Sequence, residues 1–292
     1  MQGKILKGIG GFYYVHDGLG RVYECRAKGV FRSRDEKPLV GDDVEFSVTE
    51  EEPNVGRIDT LLPRRSELIR PAVANVDQAV ILVTAARPAF HPVLLDRFLM
   101  WMEQQNVPSL IVVNKTDLDR EGKGETIASI YRPAGYTVLS VSARTGEGLE
   151  ALREHLLGKT TVLAGASGVG KSSVLNALIP GAATETGQLS RKLGRGRHTT
   201  RHSEIFFLTE HSFVLDTPGF TSLSVPDADP SELAGLFPEF RESAAHCFFP
   251  DCRHIGEPDC AVKRALAEGK IAESRYQSYV QAVQEQSRLR KY

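Results

Sequence analysis

The sequence predicts a multidomain α/β protein with three segments: an OB-type β-barrel over residues 1–70, a strand-and-helix domain over 71–224 and a cysteine-containing, α-rich domain over 225–292. Three observations predict this. Short alternating strands occupy the first segment, apolar strands alternate with helical stretches in the second, and three cysteines cluster in the third. The 292 residues are 41% hydrophobic and 25% charged, which is typical of a globular chain of two or three domains.

Charge and hydropathy argue against several classes of protein. The formal net charge is -1, so no global basic field indicates nucleic-acid binding, which would depend on local patches. The mean hydropathy of -0.22 and the lack of a long apolar run argue against a transmembrane helix. The N-terminal stretch "MQGKILKGIGG" lacks the apolar core of a secretory signal. We therefore expect a cytoplasmic protein without a membrane partner. We also expect a monomer.

The first segment has the pattern of a small barrel. "GFYYVH", "GRVYECRAKGVF" and "VGDDVEFSV" alternate apolar and polar residues and are rich in Val, Tyr and Phe. Five short strands of this kind fit an OB-type barrel. Cys25 stands alone in one of them and is expected to be a small core residue. The stretch "LLPRRSELIRPAVANV" contains two prolines and indicates a linker.

The middle segment alternates strands with helices. The strand candidates are "QAVILVTA", "PSLIVVNKTD", "YTVLSVSAR", "TTVLAGASG", "SEIFFLTE" and "SFVLDTPG". Helices are predicted over Val93–Gln105, Glu125–Arg132, Leu149–Leu157 and Lys171–Leu178. This alternation predicts a parallel sheet with helices on both faces, in which ligands bind at the carboxyl ends of the strands. Four candidate site motifs each begin where an apolar strand ends.

The motif G-x-x-x-x-G-K-S, from Gly165 to Ser172, predicts a phosphate-binding loop. Its glycines let backbone N–H groups approach phosphate oxygens, and the helix that follows directs its N-terminus at the same charge. Lys171 would reach the outer phosphates and Ser172 would coordinate Mg²⁺. A chance Gly-rich turn is disfavoured by the flanking strand and helix. The predicted binding residues are Gly165, Ala166, Ser167, Gly168, Val169, Gly170, Lys171, Ser172 and Ser173.

The motifs "NKTD" and "SAR" indicate that the base is guanine. Asp117 would accept hydrogen bonds from N1–H and the exocyclic amine of guanine, a donor pair that adenine lacks. Asn114 would contact the base edge and brace the phosphate loop, while the stem of Lys115 would cover the base face. A backbone N–H of "SAR" would bind guanine O6. Alone, each motif could be a turn with an Asp or Ser N-cap. The predicted base-binding residues are Asn114, Lys115, Thr116, Asp117, Ser142 and Ala143.

Two further motifs resemble the switches of a GTPase. In "DTPG", Asp216 would act on Mg²⁺ indirectly, and the N–H of Gly219 would bind the γ-phosphate. In "GRGRHTTRH", either Thr199 or Thr200 would be the switch threonine that coordinates Mg²⁺. The sequence leaves both open, and we prefer Thr200.

Phe220 follows "DTPG" where a Ras-like GTPase has its water-orienting glutamine. Phenylalanine cannot orient water by hydrogen bonding, so we expect slow intrinsic hydrolysis until a partner or another residue supplies that function. His198 is a candidate catalytic residue. A solvated loop histidine or an RNA contact are the alternatives for it.

The order of the five motifs is unusual. Guanine recognition comes first, then the phosphate loop, then switch one and switch two. These are the motifs of an ordinary GTPase in a circularly permuted order. Such a permutation leaves the folded site intact because the termini of compact domains often lie close together. The chain leaves the GTPase core just after switch two. We therefore expect a conformational change in switch two to be transmitted to the C-terminal domain.

Nearly the whole chain resembles the RsgA (YjeQ) family of circularly permuted GTPases that depend on the small ribosomal subunit. The resemblance rests on "PLVGDDVEF", "NKTD", "GASGVGKSS", "GRGRHTT", "DTPGF" and the spacing Cys247-x4-Cys252-x-His254-x5-Cys260. It implies an N-terminal OB barrel, a circularly permuted P-loop GTPase domain and a C-terminal zinc-binding domain. It also implies hydrolysis of GTP to GDP and phosphate, stimulation by the 30S subunit, and a role in late 30S maturation.

The C-terminal cluster has the composition of a structural zinc site. Cys247, Cys252, His254 and Cys260 offer three thiolates and one imidazole, which close a tetrahedral site with no open position. Metal-ligating thiolates in an intracellular protein are favoured over a disulfide framework. The segment is too short to bury its own core, so the metal would supply folding free energy. His246 is a rival ligand, and the resemblance favours His254.

Two basic clusters are candidate contacts to 16S rRNA. Charge runs are usually solvated surfaces, but the family acts on a ribosomal particle, so we favour phosphate contacts gated by GTP. The barrel cluster lies beside Tyr23 and Phe31, which suits an OB-type RNA face. The switch-one cluster comprises Arg191, Lys192, Arg195, Arg197 and Arg201, and the barrel cluster comprises Arg26, Lys28, Arg32 and Arg34.

The leading hypothesis is therefore a GTPase that binds the 30S subunit. The alternative is a GTP-gated protein-binding switch in which hydrolysis is incidental, an interpretation that Phe220 keeps open. A metabolic kinase is disfavoured because no second-substrate motif is visible. A P-loop ATPase is disfavoured by Asp117.

Overall fold

The computed structural model describes residues 1–29, 31, 36–49, 52–68, 72–180, 204–216, 223–229 and 232–289. The chain divides into two compact units. The first comprises Met1–Ala79, Leu149–Ala164 and Lys171–Pro218, and the second comprises Val80–Gly148, Gly165–Gly170 and Gly219–Tyr292. The three-segment division at residues 70 and 224 stays a prediction.

A closed five-stranded barrel forms the N-terminal part of the first unit, as predicted. Its strands are β1 (Gln2–Ile9), β2 (Phe12–His16), β3 (Val22–Ala27), β4 (Asp43–Val48) and β5 (Val55–Leu61). They follow the order β1-β2-β3-β5-β4, and β4 pairs with β1 to close the barrel. The parallel pair is β3 with β5. Alternate residues point inward and build the core, which includes Ile5, Val15, Cys25, Phe46 and Ile58.

The barrel core corrects one detail of the predicted RNA face. Tyr23 and Phe31 are buried with the other core residues, so neither ring is available to stack on a base. The aromatic ring beside Arg26 on the outer surface is Phe12, whose centroid lies 4.6 Å from the guanidinium carbon. The prediction chose the wrong aromatic rings. Successive side chains of a strand point to opposite faces, and the sequence alone did not show which face of each strand is buried.

The predicted linker packs onto the barrel. It contains two short strands, β6 (Glu67–Leu68) and β7 (Val73–Ala74). Arg64 donates through Nε and Nη2 to the two carboxylate oxygens of Asp42, at 2.7 and 2.9 Å. Asp42 is fully buried, so this bidentate pair supplies the partner that its charge requires.

The second unit begins with the first half of the strand-and-helix domain. Its elements in chain order are β8 (Gln78–Thr84), α1 (Pro92–Gln104), β9 (Ser109–Asn114), α2 (Lys123–Tyr131) and β10 (Thr137–Ser140). β9 pairs with β10 in parallel and also lies beside β8. Every residue of β8 is buried, which is typical of a strand covered on both faces. Both helices lie within two residues of the predicted bounds.

The rest of that domain lies in the first unit, apart from residues 165–170 and 219–224. Its elements are α3 (Leu149–Leu156), β11 (Thr160–Gly165), α4 (Lys171–Leu178), β12 (Glu204–Thr209) and β13 (Ser212–Asp216). β11 runs parallel to β13, and β12 pairs with β13 as an antiparallel hairpin. This hairpin contacts the barrel, because His16 stacks on Phe207 and the Lys4 ammonium lies over the Phe213 ring.

Three C-terminal helices complete the second unit: α5 (Pro238–Ala244), α6 (Ala261–Ala267) and α7 (Glu273–Leu289). Their apolar side chains share one core with Met100 of α1, which includes Leu233, Phe237, Phe240 and Tyr279. No helix in the described parts of the chain combines the length and the apolarity needed to cross a bilayer.

Side chains of α1 hold the backbone that leads into this C-terminal region. Arg97 donates to the carbonyl of Leu223 at 2.6 Å, and the indole of Trp101 donates to the carbonyl of Ser224 at 2.9 Å. Gln104 donates to a carbonyl further along, that of Asp227. These hydrogen bonds fix the chain to α1 at residues 223, 224 and 227. The predicted transmission of a change in switch two to the C-terminal region would therefore also involve α1.

Candidate nucleotide site and candidate metal centre

The phosphate-loop glycines allow close backbone approaches in the second unit. Gly165 ends β11, and a Cβ atom there would lie 2.5 Å from the carbonyl oxygen of Leu82. Gly170 has φ +99°, and a Cβ atom there would lie 2.3 Å from Nδ2 of Asn114. Gly165 also has a positive φ, of +146°, so both positions require glycine for space and for backbone conformation.

Asn114 joins three of the predicted motifs. Its side chain is buried, and Nδ2 donates to the carbonyl of Val169 in the phosphate loop at 3.0 Å. Its Oδ1 accepts the N–H of Ala143 from the "SAR" motif at 3.2 Å. The predicted brace on the phosphate loop is therefore present, and it is formed by an amide with a hydrogen bond on each side.

Lys115 makes a second connection to the phosphate loop. Its backbone has φ +64°, and its Nζ donates to the carbonyls of Gly168 and Arg87, both at 2.7 Å. The side chain therefore reaches across the end of β8. The contact with Arg87 was not predicted, because residue 87 belongs to no motif and its carbonyl carries no sequence signal.

The carboxylate of Asp117 is held from both sides. Ser142 donates its hydroxyl to Oδ1 at 2.7 Å, and Nε of Arg144 lies 2.8 Å from Oδ2. The Ser142 hydrogen bond, followed by the positive charge of Arg144, lowers the pKa of Asp117. The neighbouring Thr116 hydroxyl donates to the carbonyl of Val141 at 3.0 Å. The group predicted to recognise guanine is therefore an ionised acceptor in a fixed orientation.

Lys171 and Asp216 are electrostatic neighbours in the first unit. Lys171 begins α4, and Asp216 ends β13 opposite Leu163 of β11. Burial lowers the pKa of Lys171, and the negative charge of Asp216 opposes that shift. Ser172 and Ser173 follow on the first turn of α4 with exposed side chains. A buried ammonium at the start of a helix, beside a carboxylate, is a suitable site for an anion with a bound cation.

Apart from Asp216, the predicted switch residues lie outside the described residues. These are His198, Thr199, Thr200, Gly219 and Phe220, together with the switch-one cations Arg191, Lys192, Arg195, Arg197 and Arg201. Arg32 and Arg34 of the predicted barrel cluster also lie outside the described residues. Their roles stay predictions.

The four predicted metal ligands converge at one point. Their ligand atoms all lie within 4.8 Å of one another. Nδ1 of His254 is 3.5 Å from the Cys247 sulfur and 3.4 Å from the Cys260 sulfur, and these two sulfurs are 4.0 Å apart. Such separations fit sulfur and nitrogen atoms placed about 2.0–2.3 Å from a common tetrahedral centre. The cluster, with Cys252 as its fourth member, could therefore hold a metal ion.

The surroundings of His254 favour a neutral ligand. Burial lowers the pKa of its imidazole, and a neutral imidazole is the form that binds metal. Tyr276 donates to the backbone carbonyl of His254 at 2.7 Å, which fixes the loop to α7. His246 is exposed and is not a member of the cluster. Cys25 is buried in the barrel, where burial raises the pKa of its thiol to about 11.

Residues 61–226 match the family described as RsgA GTPase, and residues 2–55 match the RsgA N-terminal domain. The chain belongs to the RsgA GTPase family. RsgA family membership agrees with the barrel, the phosphate loop and the Cys3His cluster described above, and it makes the chain a P-loop GTPase that hydrolyses GTP.

Two relatives are named "Small ribosomal subunit biogenesis GTPase RsgA". The protein from Agathobacter rectalis is 48% identical, covering 100% of both chains. The one from Alkaliphilus metalliredigens is 46% identical over 100% of this chain and 99% of its own.

Two crystal structures have the same fold. YjeQ from Thermotoga maritima superposes with a TM-score of 0.82 at 36% identity, covering 98% of both chains. YloQ, described as a circularly permuted GTPase, gives 0.79 at 38% identity over 98% of this chain and 94% of its own. The predicted fold class is thereby confirmed, including the permutation.

Proposed function

We propose that the chain binds the 30S ribosomal subunit and hydrolyses GTP to GDP and phosphate during late small-subunit maturation, with hydrolysis stimulated by the particle. The main support for GTP binding is the pair of hydrogen bonds by which the Asn114 amide joins the phosphate loop to the "SAR" motif. The names of full-length relatives support the ribosomal half.

The predicted binding residues have defined tasks. Asp117 would accept two guanine donors, and the loop from Gly165 to Gly170 would surround the phosphates. Lys171 would neutralise the outer phosphates. Mg²⁺, when bound, would compensate phosphate charge. Ser172 and Thr200 are its proposed ligands, with Asp216 acting indirectly.

The remaining steps of hydrolysis are assigned to residues of the switches. Gly219 is proposed to donate its N–H to the γ-phosphate, and His198 is proposed to orient the attacking water, because Phe220 cannot. If partner-stimulated turnover of His198→Ala equals that of the parent, His198 has no catalytic role.

The Cys3His cluster is proposed to hold one structural zinc ion. The donor set closes a tetrahedron without an open position, which excludes a water-activating role at that metal. Metal analysis of the purified protein is expected to give one zinc per chain. A different metal, or none, would contradict the assignment.

RNA contacts are proposed on the outer face of the barrel and in switch one. On the barrel, Arg26 lies over Phe12 and pairs in register with Arg57 of β5, so a ring and two cations share one surface. Such surfaces bind RNA through stacking and phosphate contacts. The protein is also proposed to be a cytoplasmic monomer, and its RNA partner is proposed to be 16S rRNA.

The deciding experiment is GTP turnover by the protein alone and with purified 30S, 50S or 70S particles, with ATP as control. Stimulation by 30S alone supports the proposal. Guanine-specific binding without stimulation by any particle would instead favour a GTP-gated protein-binding switch. Equal use of ATP would overturn the guanine assignment.

A further inference from the structure

The Asp117 carboxylate has more partners than its motif predicts. A carboxylate offers two oxygens with about four lone-pair positions in total. Ser142 uses one position on Oδ1, and Arg144 uses one on Oδ2. Neither side chain uses all the lone-pair positions of the oxygen that it contacts, and a guanine base requires one acceptor for N1–H and one for its exocyclic amine.

The Ser142 contact has a defined direction. The Ser142 oxygen accepts the N–H of Thr145 at 3.2 Å, which leaves its own proton for Asp117. Ser142 is fully buried, and its backbone N–H donates to the carbonyl of Glu147 at 2.9 Å. A rigid turn therefore holds Oδ1, but a single hydrogen bond to one oxygen does not stop the carboxylate from rotating.

Arg144 supplies the second point of attachment. Its side chain is 74% exposed, whereas that of Asp117 is 9% exposed, so the cation approaches from solvent toward a carboxylate that is largely shielded. Contacts on both oxygens fix the plane of the carboxylate. We propose that Arg144 is a positioning residue for guanine recognition, which orients Asp117 so that both oxygens meet the base together. This inference rests on the proposed guanine site.

The effect of Arg144 should depend on how many hydrogen bonds the base makes. Guanine uses both oxygens of Asp117, whereas hypoxanthine lacks the exocyclic amine and uses one. A freely rotating carboxylate is disadvantaged most when two bonds must form at once. Removing Arg144 should therefore weaken GDP more than IDP.

The test is titration calorimetry of GDP, IDP and ADP, each with Mg²⁺, against the full chain and Arg144→Ala. An exposed ion pair contributes little, so we expect GDP to bind about two- to five-fold more weakly to the variant, with a smaller preference for GDP over IDP. Arg144→Lys should recover part of both losses. Arg132→Ala is the matched control, because Arg132 is also exposed and paired, with Glu125 at 2.9 Å.

The outcomes separate this proposal from the guanine site itself. Unchanged or tighter GDP binding by Arg144→Ala would overturn it, the latter because Arg144 would then compete with the base. Equal weakening of GDP and IDP would also overturn it. If the parent chain bound ADP as well as GDP, the guanine site would fail, and this inference with it.

Discussion

The His16 imidazole stacks on the Phe207 ring, with centroids 4.5 Å apart and planes inclined by 30°. His16 ends β2 of the barrel, and Phe207 lies in β12, in the hairpin between the two predicted switches. Phe213 of the same hairpin meets His16 edge-on at 6.1 Å. In the first unit, the barrel is therefore attached to the element that connects switch one with switch two along the chain.

The stability conferred by His16 should depend on pH. Burial lowers the pKa of His16 below 6.5, only partly opposed by the charge of Asp17, so the folded state favours the neutral ring. Nδ1 of this ring accepts the N–H of Gly18 at 3.0 Å, as a neutral ring can. The unfolded chain takes up the proton first as pH falls, so stability is full above about pH 6.5 and declines below it.

We expect His16→Ala to cost about 1–3 kcal/mol at pH 7.5 through lost ring contacts, and less at pH 5.5. Urea unfolding at the two pH values measures this difference. His91→Ala, at an exposed histidine whose side chain makes no capping hydrogen bond, is the control. A cost that is equal at both pH values would show that His16 titrates alike in both states.

Arg275 should be essential for the stability of the C-terminal region. Its Nη1 donates to Asp96 at 2.7 Å and its Nε to Glu239 at 2.6 Å, and Arg275 and Asp96 are each 1% exposed. Arg275→Met would leave two buried carboxylates without their cation, a loss of about 3–5 kcal/mol. Thermal unfolding of this variant is compared with Arg241→Met.

Arg241 forms a more exposed pair with Glu103 and should cost under about 1 kcal/mol. Similar losses for the two variants would mean that burial does not govern the worth of these ion pairs.

Gly170→Ala should weaken nucleotide binding more than Gly168→Ala does. Both glycines have positive φ, at +99° and +80°, so backbone strain is common to the two variants. Only at Gly170 would the new Cβ collide with Asn114, at 2.3 Å, whereas at Gly168 the nearest atom is Cδ of Pro88 at 3.6 Å. GDP titration measures the difference, and equal losses would show that backbone strain alone matters.

Metal removal should unfold the C-terminal region and leave the barrel intact. Cys260→Ser is expected to lose the metal and to disturb the core shared by α1, α6 and α7. Trp101 is the only tryptophan, and its indole donates to Ser224 in the same unit, so its fluorescence reports this change. Cys25→Ala is the control, and should keep the metal. Metal content unaffected by Cys260→Ser would exclude Cys260 as a ligand.

The sequence predicted the elements and motifs well because their signals are local. Hydrophobic periodicity marked the helix Lys171–Leu178 with its observed bounds. The spacing of Cys247, Cys252, His254 and Cys260 brought together a set that the structure gathers within 4.8 Å. The order of the motifs alone indicated the permutation, which agrees with the structural relatives.

The tertiary structure alone decided which side chains share a surface. Parity of position could not tell that Tyr23 faces the barrel core while Phe12 lies beside Arg26. Likewise, Arg144 reaches Asp117, and Arg275 reaches Asp96, across many residues of chain. Local patterns determine secondary structure and motif chemistry, because these depend on neighbours in sequence. Contacts between distant residues depend on how the elements pack, and no local pattern records that.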